Sequence, residues 1–127
     1  MTGLSDGGSP VDTTTTTYAG QFHPVVHSGM GMVTASKSGF TAQLRFAADF
    51  STHGGPALEV WLVEATDATD SETVLQSPHV SLGPLQSTTG TQTYDIPLDL
   101  DLKKYRAVTI WCVAAEVNFT TAPLTKR

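Results

Sequence analysis

Between Phe40 and Phe50 the chain alternates with a period of two. Phe40, Ala42, Leu44, Phe46, Ala48 and Phe50 fall on one side, and Thr41, Gln43, Arg45, Ala47 and Asp49 on the other. That period is the pleat of a β-strand; a helix places residues three and four apart on one face instead. One side is apolar and the other mostly polar, as in a half-buried antiparallel strand. Ser38-Gly39 and His53-Gly54-Gly55-Pro56 supply the flanking turns. A second run, Ala107 to Ala115, is apolar on both sides: Val108, Ile110, Cys112 and Ala114 on one, Ala107, Thr109, Trp111, Val113 and Ala115 on the other. It is expected at the centre of a sheet covered on both faces.

The remaining segments are shorter. Leu58 to Val63 alternates with Leu58, Val60 and Leu62 inward and Trp61 outward, and Gln92 to Ile96 alternates around Tyr94 and Ile96. Val74-Leu75 and His79 to Leu82 are weaker strand candidates around Pro78, which marks an edge or a break. Tyr18 to Phe22 and Val25 to Val33 give further short strands, interrupted at Pro24, Gly29 and Gly31. Ala65 to Glu72 reads as a polar loop and Pro97 to Lys104 as a turn or short helical crossing. No segment has an amphipathic helical period. About eight short strands are expected, in an all-β, antiparallel two-sheet β-sandwich of jelly-roll type. Residues 18–127 form one such domain, and residues 1–17, rich in Thr, Gly and Ser, read as a disordered leader or linker.

Composition then excludes several functions. The 127 residues carry a net charge of −5, with paired cations only at Lys103-Lys104 and Lys126-Arg127, so nucleic acid is not an expected partner. No stretch approaches the roughly 20 apolar residues of a membrane span. Met1 to Asp6 has neither the basic nor the apolar region of a signal peptide.

The single cysteine, Cys112, excludes an intrachain disulfide. None of the four histidines, His23, His27, His53 and His79, is close to it in sequence, and Asp99 and Asp101 sit in a solvated turn, so no catalytic constellation is visible. Blue-copper spacing is absent, because Val113-Ala114-Ala115-Glu116-Val117 after the cysteine offers no ligand; no metal site is expected. Trp111 and Val113 bring no positive charge to favour a thiolate, and the plain alternative is a small buried hydrophobe. Asn118-Phe119-Thr120 is a glycosylation sequon beside a strand, and Trp61 with Trp111 offers an aromatic platform or a packed pair.

The order of motifs resembles the DM-thirteen domain family, the electron-transfer DM domain. The matching residues are Gly20-x-Phe22, His27-Ser28-Gly29, Phe50, and Gly55-Pro56-x-Leu58-x-Val60-x-Leu62. Leu82-Gly83-x-Leu85 and Gly90-x-Gln92-x-Tyr94-x-Ile96-Pro97 follow, then Tyr105-x-x-Val108-x-Ile110-Trp111-Cys112, with Phe119, Ala122 and Leu124 last. Two positions depart from the family pattern: Ala57 stands where an aspartate is usual, and Val113 where a basic or polar residue often follows the cysteine. The resemblance implies a β-sandwich in an extracytoplasmic setting, secreted, periplasmic or at the cell surface. It implies a non-catalytic module with a redox or electron-transfer role centred on Cys112. Trp111, His27 and Tyr94 are the supporting candidates. Any haem or metal would come through a partner, either a redox protein or a membrane cytochrome. The alternatives are a binding or adhesion module for protein or carbohydrate, in which Cys112 only packs, and a structural subunit.

Overall fold

A computed structural model describes residues 15–127, and most of the expected 1–17 leader lies outside them. Twelve strands and one helix follow in order: β1 (Thr16–Gln21), β2 (His23–Pro24), β3 (Gly29–Met30), β4 (Met32–Lys37), β5 (Ala42–Phe46), β6 (Ser51–Thr52), β7 (Leu58–Val63), α1 (Ser71–Gln76), β8 (His79–Pro84), β9 (Gln92–Asp95), β10 (Ala107–Cys112), β11 (Val117–Pro123) and β12 (Thr125–Lys126). Eight strands span four residues or more and four span two each; seven of the eight expected segments are strand at least in part, whereas Val74-Leu75 is not, and β11 arises where no separate strand was expected. β1 begins two residues before the expected domain start, with Thr16 and Thr17 paired to Lys37 and Ser36.

The strands form two five-stranded antiparallel sheets, β9-β5-β4-β1-β12 and β2-β11-β10-β7-β8, and a β3–β6 ribbon. Alternation decides which face packs. In β5, Ala42, Leu44 and Phe46 are buried while Gln43 and Arg45 are exposed. Leu44 and Phe46 meet Val60, Leu62, Val108, Ile110 and Cys112 of the other sheet in one core. Removing a side chain such as Phe46 from water contributes about 1.5–3 kcal/mol, so this core dominates the stability.

The second sheet is covered on its outer face as well, and every residue of β10 is buried. There Ala107, Trp111 and Val63 meet Ala68 and Val74, which arrive on the 64–78 crossing. The expected polar loop holds over residues 65–70, while α1 takes its last two residues and replaces the Val74-Leu75 strand; the helix N-terminus is capped by Asp70 accepting from the Thr73 amide at 2.7 Å. Asn118 at the head of β11 pins this crossing through its side-chain amide, which donates to the Asp70 carbonyl at 3.2 Å and to Thr121 Oγ1 at 2.8 Å. Its side chain is fully buried, so the sequon presents no acceptor for a glycan.

Both long alternating runs are shorter than their pattern. The Phe40–Phe50 run is strand only over Ala42–Phe46; it turns at Ala48-Asp49, and Phe50 re-enters the core. Phe40 is 77% exposed at the tip of the β4–β5 turn. The Ala107–Ala115 run ends at Cys112, and Val113 to Glu116 form the exposed turn into β11. Alanine explains the overreach: with so little side chain to bury, Ala48, Ala114 and Ala115 satisfy an alternation pattern at small gain and are equally content in a turn. The Val25–Val33 candidate is likewise divided, with the chain looping through His27-Ser28 between β2 and β3.

Candidate functional site

Strand direction gives the sandwich two poles. β10 runs from Ala107 beside Arg106 to Cys112, about 17 Å away at 3.3 Å per residue. At the far pole Cys112 pairs with Leu58 on β7 and Val117 on β11. Its side chain joins the inter-sheet core and is 1% exposed. The thiol donates to the Pro56 carbonyl at 3.2 Å, and the Val113 amide donates to the Ala57 carbonyl at 3.0 Å. The strap 53–57 therefore closes over the cysteine.

The strap also meets two histidines. His53 stacks on His27 with ring centroids 4.4 Å apart, and Phe119 lies 4.2 Å from the His27 ring. His53 is fixed by its amide donating to the Ser28 carbonyl at 3.1 Å and by its Nδ1–H donating to the Gly54 carbonyl at 2.6 Å. Two glycines allow this closeness. A Cβ on Gly55 would stand 2.8 Å from Phe119 Cζ, and one on Gly29 would meet the Thr120 side chain at 2.2 Å. Ala57 has φ +54°, a left-handed conformation that costs an alanine about 1–2 kcal/mol and that Asn, Asp and Gly adopt more readily. An aspartate at this position would thus have a backbone advantage that involves no ligand.

Beside the strap lies an open cleft of about 360 Å³ lined by Gly55, Ala57, Leu58 and residues 84–88, at the small end of the range for ligand sites. Its wall is held by Tyr94, whose hydroxyl accepts from the Gln86 amide at 2.8 Å and donates to Gln92 Oε1. Burial raises the pKa of that phenol, and the Gln86 bond opposes the shift; Tyr94 stays a neutral hydrogen-bonding post. The lining holds no histidine, methionine or cysteine, so it offers a haem iron no axial ligand. Among the described residues, no three His, Cys, Asp or Glu side chains converge on a metal position.

The four residues singled out from the sequence are distributed as follows. His27 shares the pole of Cys112, both being tied to the 53–57 strap, and no hydrogen bond joins them among the described residues. Tyr94 reaches the same pole through Gln86. Trp111 points to the opposite face of its sheet, where it stacks on Trp61 at 4.8 Å, and Trp61 stacks on His79 at 4.3 Å. With Trp111 only 2% exposed, that pair is packed and presents no open platform. His53 and the Pro56 carbonyl are the members that sequence reasoning left without a role. The adjoining Gly54-Gly55-Pro56 was the signal that the backbone must pass close to something there.

Residues 21–124 match the family model described as Electron transfer DM13. The chain belongs to the DM13 family. No curated protein and no solved structure matches it. The DM13 match spans most of the described chain and carries the electron-transfer designation for the domain. In three dimensions separate segments of the matched range meet. His27-Ser28-Gly29, Gly55-Pro56, Cys112 and Phe119 lie far apart in sequence and touch one another at a single pole.

Proposed function

We propose that this DM13 domain is a non-catalytic, extracytoplasmic electron-transfer module whose redox group is the Cys112 thiol, controlled by the 53–57 strap and the His27–His53 pair. The observation that carries this reading is the convergence of the family's motifs on the strap that caps the thiol. Packing alone requires a residue of cysteine's size at position 112; it does not require a carbonyl aimed at the sulfur, or a glycine seated on the Phe119 ring that flanks the histidine stack. With one cysteine in the chain, the reaction takes a partner. The Cys112 thiolate attacks a disulfide on a redox partner protein, a mixed disulfide forms, and the partner's other sulfur leaves as a thiolate that takes up a proton. The strap must first lift, since the thiolate and not the thiol is the nucleophile.

A second reading has its own observation. Cys112 is almost fully buried, as in a binding or adhesion module where it only packs. One experiment separates the two. Native protein is incubated with a soluble aromatic disulfide reagent, and the rate of mixed-disulfide formation is compared with the rate of global unfolding. Labelling many times faster than unfolding supports the redox module. Labelling only at the unfolding rate, with Cys112→Ser folding normally, favours the binding module. Haem and metal titration followed by absorbance, on wild type and on Cys112→Ser, tests the cofactor arm.

A further inference from the structure

The pole opposite Cys112 has a different chemistry. Six of the seven Lys and Arg residues gather there: Lys37, Lys103, Lys104, Arg106, Lys126 and Arg127. Strand pairing explains the gathering. At the start of β1, Thr16 faces Lys37 and Tyr18 faces Lys126, while the Arg127 amide donates to the Thr17 carbonyl at 2.8 Å. Lys103 and Lys37 line one shallow groove with Thr16 and Tyr18, and the Arg106 guanidinium lies 5.2 Å over the Tyr18 ring. Three aspartates, Asp95, Asp99 and Asp101, share the pole, which leaves a local surplus of three positive charges. The rest of the described domain sets one cation, Arg45, against seven carboxylates. Among the described residues the only ion pair is His23–Asp67, so none of the six cations is in one.

Two apolar side chains project from the same pole. Phe40, at the tip of the turn closed by the Ser38 amide donating to the Thr41 carbonyl, is 77% exposed, more than any other large apolar residue described. Leu98 is 48% exposed and shares a groove with it. The remaining exposed apolar side chains, Val26, Met30, Leu75 and Val113, belong to the thiol pole and to α1.

We infer that this pole docks on an anionic phospholipid surface, with the cations against headgroup phosphates and Phe40 and Leu98 entering the interface. A surface built to bind only a soluble polyanion has no use for a phenylalanine held out in water, whereas an interfacial surface pairs cations with apolar anchors. Docked in this way, the domain turns the Cys112 pole away from the membrane. The inference stands independently of any redox role for Cys112.

Flotation of the full chain with vesicles of equal phosphatidylglycerol and phosphatidylcholine, against pure phosphatidylcholine, tests it. Binding to the anionic vesicles alone is expected, weakening as salt rises. Neutralising two cations with Lys103→Gln/Lys104→Gln is expected to lower the affinity about 25-fold, from roughly fivefold per charge near an anionic surface. Phe40→Ser is expected to lower it about tenfold through lost apolar insertion, with an unchanged urea midpoint because Phe40 is exposed. Val113→Ser, at the other pole, leaves binding unchanged. The inference is overturned if low salt brings no preference for anionic vesicles. It is equally overturned if Phe40→Ser binds like wild type while heparin displaces both, which would mark a general polyanion site.

Discussion

The two poles of this sandwich are built from the same strands and differ in every other respect. At the Cys112 pole the 53–57 strap is drawn inward: a carbonyl caps the thiol, two histidines stack, and Gly55 lets the backbone touch the Phe119 ring. At the opposite pole the loops point outward with lysines, arginines and an exposed phenylalanine. Residues far apart in sequence meet at the closed pole, where contacts are specific and replacements cost stability. The open pole is a property of net charge and exposure, which point substitutions retune without disturbing the fold. Substitutions across the two poles should therefore fall on very different scales.

The largest contrast is between two phenylalanines. Phe119→Ala removes a ring that supports His27, His53 and Gly55, and is expected to cost about 3–5 kcal/mol in urea unfolding and to speed thiol labelling of Cys112. Phe40→Ser should stay within about 0.5 kcal/mol of wild type. Equal effects would dissolve the distinction between the poles.

Next in size is Gly55→Ala. Its Cβ would stand 2.8 Å from Phe119 Cζ, so either the strap or the ring must shift. Overpacking of this kind costs about 1–3 kcal/mol. If the strap is what yields, labelling of Cys112 accelerates by more than the loss of stability accounts for; if the ring yields, labelling tracks stability alone.

Ala57→Gly runs the other way. Relief of the left-handed backbone at φ +54° is expected to stabilise the domain by up to about 1 kcal/mol, with Ala57→Asp showing part of the gain. A urea series reads both. A gain from Ala57→Asp with no new ligand bound shows that the backbone alone favours an aspartate at this position.

The sequence made the two-sheet architecture legible because burial on one face leaves a period of two. The central strand β10 was legible because both its faces are apolar. The closed pole was legible only as scattered motifs. Cys112 and Pro56 are 56 residues apart, and the stacking of His27 on His53 is a consequence of the β3–β6 ribbon, whose strands span two residues each. Such short strands leave no periodicity to read. The helix α1 escaped for a similar reason: six residues with one buried side chain, Val74, make less than two turns of amphipathic pattern. Its surviving trace was Asp70 at the N-cap, which a polar loop hides among other polar residues. The cationic pole leaves little trace in composition, because a net charge of −5 averages a positive end with a negative remainder.

The smallest expected effect concerns the join between the closed pole and the 64–78 crossing. His23 Nε2–H donates to Asp67 Oδ1 at 2.7 Å, and β2, which carries His23, leads directly into the His27 turn. Partial burial alone would lower the His23 pKa. The hydrogen bonds to the Asp67 carboxylate and the Pro24 carbonyl, with the charge of Asp67, outweigh it and raise the pKa above the ordinary 6.5. The protonated form is therefore favoured in the folded state. Its contribution is fully present below pH 6.5 and is lost as pH rises through the elevated folded value. Both side chains are about one-third exposed, so screening holds the effect to about 0.2–1 kcal/mol. Urea midpoints measured from pH 5.5 to 8.5 should fall slightly toward the alkaline end, and Asp67→Asn should flatten that slope. If the slope survives Asp67→Asn unchanged, the His23–Asp67 pair is not its source.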